Sequence, residues 1–397
     1  MKNRWNDAEA RAFIESDNPL DLRIYTTRLL GQEPSLVLHG GGNTSVKTTL
    51  KNLFGEVVEV LYVKGSGQNL ATITADGFAP VRLDVLRKLI QFEQLSDATI
   101  VREQRAALPD PSAPDPSIET ILHAIIPFTF IDHTHADVIV TLTSTPNGEA
   151  YIREIYGERL LHIPYVKPGF LLARAIYEKI RDLSESDWSR LDGIILWNHG
   201  IFTFAQDAKT AYSQMIKLVT AAEDFLKAKG IFEKIALSAA QEDLPALSFL
   251  RKTVSEAAGK AMLAKLNATP EAAGFSALPD VDDIATRGLL TPDHVSRIKR
   301  IPMIVHEGDD IRETVTAFSV AYQSYFLRQS DGTQTMLDPA PRWAIWQNHG
   351  SVVFGENMRA ITIAHDITRQ TMQAIQWAEA LGGWQVLSEK DIFEIEY

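Results

Sequence analysis

SLVLHGGGNTSVKT, residues 35–48, runs from an apolar segment through three glycines into the alternating Thr44-Ser45-Val46-Lys47. This pattern reads as strand, glycine turn, strand, with Leu36–Leu38 as the first strand. Upstream, residues 7–16 and 19–30 read as helices. In the second, Leu20, Ile24, Thr27 and Leu30 share a face, Asn18 is the cap, and Pro19 takes the first helical position. Downstream, VVEVLYV (57–63) is a strand ending in Lys64-Gly65-Ser66-Gly67, and residues 80–107 are mostly helical. PDPSAPDPS (109–117) is a loop whose Asp115 and Pro116 start a helix to about Ile126. FTFIDHTH (128–135) and DVIVTLT (137–143) read as two short strands, and Pro146 and Gly148 open a helix. Residues 168–182 are helical, GIILW (193–197) and IFTF (201–204) are strands, and 207–229 is a long amphipathic helix. Alternating strands and helices as far as 229 predict one α/β unit over residues 1–230.

Residues 231–397 form a second, accessory region, helical and α/β. Its first part, to about residue 300, is Ala-rich and helical with a Pro/Asp/Gly-rich break at 269–282. Helices at 310–330 and 357–381 flank strands at 342–346 and 351–354. ILWNHG (195–200) and IWQNHG (345–350) echo each other, each before a short apolar strand and a long helix. The second region is therefore either a degenerate partial repeat or a chance recurrence of the same local pattern. The same 150-residue offset carries His133 and His135 to Asp283 and Ala285. No second copy of a histidine site is expected, and His349 reads as a structural turn residue.

The chain has 397 residues, a formal net charge of −12 and no cysteine. Disulfides, thiolate catalysis and cysteine metal sites are excluded. An acidic chain without clustered Lys/Arg makes a poor partner for nucleic acid. The start, MKNRWNDAEARAF, lacks the apolar core of a signal peptide, and no run of about 18 apolar residues suggests a membrane span. A cytoplasmic location is the expectation.

Without cysteine, a transition metal must sit on histidine and carboxylate, and there are ten histidines. His133 and His135 form an H-x-H pair. On a strand, residues two apart face the same way with Cβ atoms roughly 6–7 Å apart, close enough to share one metal. Alone, the pair is equally two strand histidines. His199 projects from the turn W-N-H-G, and Glu119 sits at a helix start two residues after Ser117, where the helix dipole favours a carboxylate. Each also has a plain structural reading. Together, three imidazoles and a carboxylate would cage Zn²⁺ or another divalent metal. If Glu119 swings away, it becomes a base beside a metal-bound carbonyl, which suits proton removal alpha to that carbonyl and an enediolate.

HGGGNTS (39–45) offers a concavity of backbone N–H groups for an anion, Lys64-Gly65-Ser66-Gly67 adds a cation and a hydroxyl, and Ser117 adds a donor. Two ordinary glycine turns are the alternative. The first loop lacks the lysine of an ATP-binding P-loop, and no G-x-G-x-x-G follows a strand.

In this order, G-N-x-S (Gly42, Asn43, Ser45), S-G (Ser66, Gly67), P-S-x-E (Pro116, Ser117, Glu119), H-x-H (His133, His135) and N-H-G (His199) resemble the class II aldolase/adducin family over about residues 20–230. The resemblance implies a three-layer α/β/α fold, zinc on His133, His135 and His199, and Glu119 as both ligand and general base. It also implies a substrate phosphate on Asn43, Ser66, Gly67 and Ser117, with Gly42, Ser45 and Lys64 in the same loops. Ile118 departs from the pattern, since small members often carry a second hydroxyl there. A different or unphosphorylated substrate therefore stays open. Tetramers with sites at subunit interfaces are implied. Tyr165 and Lys167 are candidates for a residue lent to a neighbour, beside their plain reading as loop residues.

VLHGGGNTSVK, LYVKGSG and the terminal DIFEIEY resemble most closely the aldolase portion of bifunctional rhamnulose-1-phosphate aldolase/short-chain alcohol dehydrogenase proteins. That implies cleavage of a ketose 1-phosphate, L-rhamnulose 1-phosphate first, to dihydroxyacetone phosphate and an aldehyde, with a separate dehydrogenase as a candidate partner. The alternatives are a sugar-phosphate epimerase or dehydratase on the same metal site, or an adducin-like scaffold without metal chemistry.

Overall fold

A computed structural model describes residues 1–397 as two compact units, residues 1–140 with 149–225 and residues 141–148 with 226–397. Residues 141–148 thus group with the C-terminal part, which a single cut at residue 230 does not provide for.

The first unit is built on a seven-stranded sheet of order β3-β2-β1-β4-β7-β6-β5. Its strands are β1 (Asn43–Lys51), β2 (Val57–Lys64), β3 (Phe78–Arg82), β4 (Phe130–Thr134), β5 (Leu160–Ile163), β6 (Gly193–Leu196) and β7 (Gly200–Ala205). All neighbours are antiparallel except β5 and β6. Successive strand residues point to opposite faces, and both faces are covered. Phe130 of β4 joins Val46, Leu20, Ile24, Ala208 and Ala211 on one side. Ile131, Phe202 and Phe204 join Leu122, Leu172 and Ile176 on the other. This is the three-layer α/β/α arrangement expected from the sequence.

The helix Pro19–Gly31 starts as its sequence requires, with Asn18 accepting from the Leu20 N–H. Leu20, Ile24, Thr27 and Leu30 are all buried. Between them lies Arg23, fully buried, with Nη2 2.6 Å from Asp132 Oδ1 of β4. Burial pushes the Asp132 carboxyl up and the Arg23 guanidinium down, each against the partner's attraction. Each half offsets part of the cost of burying the other.

Two expected strands are absent. Leu36–Leu38 continue the helix end as turns, with Leu36 and Val37 N–H groups bonded to Glu33 O. Leu36 and Val37 are apolar residues buried in a turn rather than in a strand. DVIVTLT is the helix Asp137–Thr143. Every one of its residues is buried, so it lacks the polar face that would betray a helical period, and a short apolar run cannot be told from a strand. Conversely β3, β5 and β8 (Leu263–Asn267) fall in stretches whose sequence shows no strand alternation clear enough to read.

The second unit has a four-stranded sheet of order β8-β11-β10-β9, completed by β9 (Met303–Val305), β10 (Trp343–Trp346) and β11 (Gly350–Gly355). β9 and β10 are parallel and the other pairs antiparallel. Strand order, chain order and directions match β4-β7-β6-β5 of the first unit. The echoed turns share a left-handed asparagine, with φ 54° at Asn198 and 63° at Asn348. Long helices follow both, Ala208–Ala228 and Met358–Ala380. The register corrects the simple 150-residue offset. β7 pairs Phe202 with His133, and β11 pairs Val352 with Leu266. The counterparts of His133 and His135 are therefore Leu266 and Ala268, not Asp283 and Ala285. The chain from β8 to β11 is longer than that from β4 to β7, which the offset ignores.

Arg23→Met should leave the Asp132 charge buried alone and cost about 3–5 kcal/mol. Chemical denaturation of the variant beside the wild type reads this, and an unchanged midpoint would mean the pair is dispensable to the first unit.

Candidate metal centre

The register of the central strands sets the centre. Asn43 of β1, His133 of β4 and Phe202 of β7 lie in one row across the sheet. The His133 ring stacks on Phe202 at 4.1 Å between centroids and 12° between planes. Its Nδ1–H donates to Ile201 O at 3.1 Å, so the Nε2 lone pair faces inward. Burial first, then the neighbouring histidines, hold His133 well below its ordinary pKa, in the neutral form that ligates metal. His135 lies one residue past β4 and places Nε2 3.1 Å from His133 Nε2. His199 comes from the turn between β6 and β7. Gly200 after it is obligatory, since a Cβ there would stand 2.3 Å from Thr134 O.

The ligand atoms of His133, His135 and His199 lie within 4.8 Å of one another, and all three residues are buried. Glu119 Oε2 is 3.5 Å from His133 Nε2, and Oε1 is 3.7 Å from His199 Nε2. A tetrahedral ion with bonds of 2.0–2.1 Å separates its ligand atoms by about 3.3–3.4 Å. The distances to Glu119 and the histidine pair bracket that edge. The donor set, three nitrogens and a carboxylate without sulfur, suits zinc or a neighbouring divalent metal.

Glu119 is held from behind. Asn43 Nδ2 donates to Glu119 Oε2 at 2.6 Å and to Ser117 Oγ at 3.2 Å. Ser117 Oγ also accepts the Glu119 N–H at 3.3 Å. Asn43 Oδ1 meets His123 Nε2, and His123 Nδ1 meets Ser45 Oγ at 2.8 Å. His123 is fully buried, and burial pushes it down to about 3. Sequence reading missed His123. Its signal was the spacing of four residues after Glu119, which stacks two side chains on one helix face.

The three loops converge. Lys64 Nζ donates to Gly40 O at 2.6 Å, Ser66 N–H to Asp115 O at 2.8 Å, and Gly65 bridges Pro116. Gly42 has φ 60°, and a Cβ on it would stand 2.7 Å from His133 O, so only glycine brings the first loop against β4. Ser66 and Gly67 face solvent. The buried Ser45 hydroxyl meets His123 Nδ1, and Lys64 Nζ links its own loop to the first glycine loop. Lys167 Nζ lies 4.0 Å from Asp97. Ile118 is 46% exposed between Ser117 and Glu119.

Residues 22–226 match the family described as Class II Aldolase and Adducin N-terminal domain, and residues 241–397 match Aldolase class II, second domain. The Bacillus subtilis protein called "Uncharacterized oxidoreductase YuxG" is 30% identical over 418 residues, covering 100% of this chain and 59% of that protein. The chain thus spans less than two thirds of that relative. The N-terminal class II aldolase domain of a conserved Thermoplasma acidophilum protein is 38% identical, with a TM-score of 0.51, covering 57% of this chain and 99% of the other. No helix is long and apolar enough to cross a membrane. With its first sheet, its histidine triad and its matched segments agreeing, this chain belongs to the class II aldolase and adducin family, whose aldolases are metal dependent.

Proposed function

We propose that this chain is a zinc-dependent aldolase that cleaves a ketose 1-phosphate, L-rhamnulose 1-phosphate first among candidates, to dihydroxyacetone phosphate and an aldehyde. The observation that carries the reading is the buried Glu119 carboxylate, 3.5 and 3.7 Å from two imidazoles of the triad and held by the Asn43 amide. His133, His135 and His199 would hold the ion, with Glu119 as a fourth ligand. The ion would supply Lewis-acid polarisation of the substrate carbonyl.

The chain's residues do the rest. As C3–C4 breaks, the C4 hydroxyl proton passes to the Glu119 carboxylate, the electron pair stays on C3 and the far fragment leaves as an aldehyde. Glu119, displaced by substrate, delivers a proton to C3 and completes dihydroxyacetone phosphate. In the reverse direction it removes that proton. Asn43 keeps the carboxylate aimed. The backbone N–H groups of the first glycine loop, with Ser66, Gly67 and Ser117, would take the phosphate.

Ile118 favours a second reading of the same chemistry. An exposed apolar side chain where a hydroxyl would bind phosphate fits a substrate without that group. Epimerase or dehydratase chemistry on this site is separated from both by product analysis. A tetramer, a cytoplasmic location and a dehydrogenase partner for the aldehyde belong to the same proposal. The partner is motivated by the oxidoreductase name of the longer relative.

Glu119→Gln should keep the fold and most of the metal while turnover falls about 10²–10⁴-fold. Dihydroxyacetone phosphate release from a panel of ketose 1-phosphates measures it, and full activity would remove Glu119 from the reaction. His199→Ala should lose bound zinc, because two imidazoles hold it far less well. Equal zinc by elemental analysis in variant and wild type would overturn the ligand set.

A further inference from the structure

We infer that His123 is a positioning residue: it locks the Asn43 amide so that its N–H, and never its carbonyl, faces the Glu119 carboxylate. The inference rests on the reading of Glu119 as ligand and base.

The two ends of an asparagine amide are nearly the same shape, so its neighbours decide which way it points. At one end Asn43 meets Glu119 Oε2 at 2.6 Å and Ser117 Oγ at 3.2 Å. At the other it meets His123 Nε2. An ionised carboxylate only accepts. With the amide reversed, two acceptor oxygens would confront each other at hydrogen-bond distance, and Glu119 would be driven from its place beside the triad.

His123 is what blocks the reversal. A neutral imidazole carries one N–H. Ser45 Oγ stands 2.8 Å from Nδ1 and has a hydroxyl to donate. A hydroxyl can also accept, so it is Asn43 Oδ1, which only accepts, that places the proton on Nε2. The donors then all run one way: Ser45 O–H to His123, His123 N–H to Asn43, Asn43 N–H to Glu119. The opposite tautomer would need the reversed amide and so the acceptor clash.

Ser45 and His123 are fully buried, and Asn43 and Glu119 nearly so. No bulk water competes for these bonds, and in a low dielectric each strengthens the next. The ring is also steered. His123 meets the edge of Phe202 at 5.4 Å, and the same Phe202 stacks on His133 at 4.1 Å. One aromatic side chain therefore orients a triad ligand and the imidazole that aims the fourth ligand. This gives the buried Ser45 hydroxyl of the G-N-x-S motif a partner in His123.

The first test is the tautomer itself, read from ¹⁵N shifts of the full chain labelled on histidine. His123 should show a pyrrole-type Nε2 and a pyridine-type Nδ1, and the opposite pattern would overturn the inference. The second is a variant pair. His123→Leu removes the donor, and kcat should fall about 10–100-fold with KM little changed. His123→Gln keeps a donor and an acceptor and should recover most of that loss. Wild-type kcat in the leucine variant, or a glutamine variant as impaired as leucine, would sink it, and the tautomer reading stands even if a variant fails to fold. Failure is separable from that of the aldolase reading. A wild-type chain that releases dihydroxyacetone phosphate from none of the ketose 1-phosphates overturns the aldolase reading alone, since the tautomer is read without turnover. An inactive Glu119→Gln with the opposite His123 tautomer overturns only the positioning role.

Discussion

Strand β4 is buried on both faces and carries a polar group on each. The two-residue period of a strand sends Asp132 one way and His133 the other. Neither can stay in the interior unsatisfied. Asp132 is met by Arg23 from the helix Pro19–Gly31, and His133 by Ile201 O, Phe202 and the other two histidines of the triad. A shift of one residue in the β4 register would exchange the two and lose both, so the charge pair on one face fixes the position of the ligand on the other.

From that fixed strand the centre assembles by neighbours. β1 brings Asn43 level with His133, and β7 brings Phe202 to the same row. The tight N-H-G turn lets Gly200 pass against Thr134 O and sets His199 beside His133. The carboxylate arrives last, from the start of the short helix Thr120–Ile125, and depends on an amide and an imidazole for its aim. Many of the polar atoms here serve one another, while Ser66 and Gly67 stay exposed.

The second unit shows how little a sheet topology says about a site. It repeats four strands in order and direction, yet the positions of His133 and His135 are taken by Leu266 and Ala268. His349, the counterpart of His199, stacks on Trp346 at 3.9 Å and turns Nδ1 to Gln347 O at 2.8 Å. Its turn is kept by backbone needs, with Asn348 left-handed as Asn198 is. The matched segments 22–226 and 241–397 treat the two parts as distinct domains, in accord with the loss of the ligands.

The sequence by itself determined the residue types the centre could use and the family the chain joins. A chain without cysteine must build a metal site from histidine and carboxylate, and H-x-H, N-H-G and P-S-x-E are short motifs legible without a fold. It also determined the helix at Pro19, because capping is local. Tertiary structure decided what depends on partners distant in the chain. It made 137–143 a helix, since a run buried on every side carries no period to read. It set the Ser45 hydroxyl on His123 and Lys64 Nζ on Gly40 O, because side-chain direction follows strand register. It brought in His123 and Phe202, whose parts exist only where β1, β4 and β7 stand side by side.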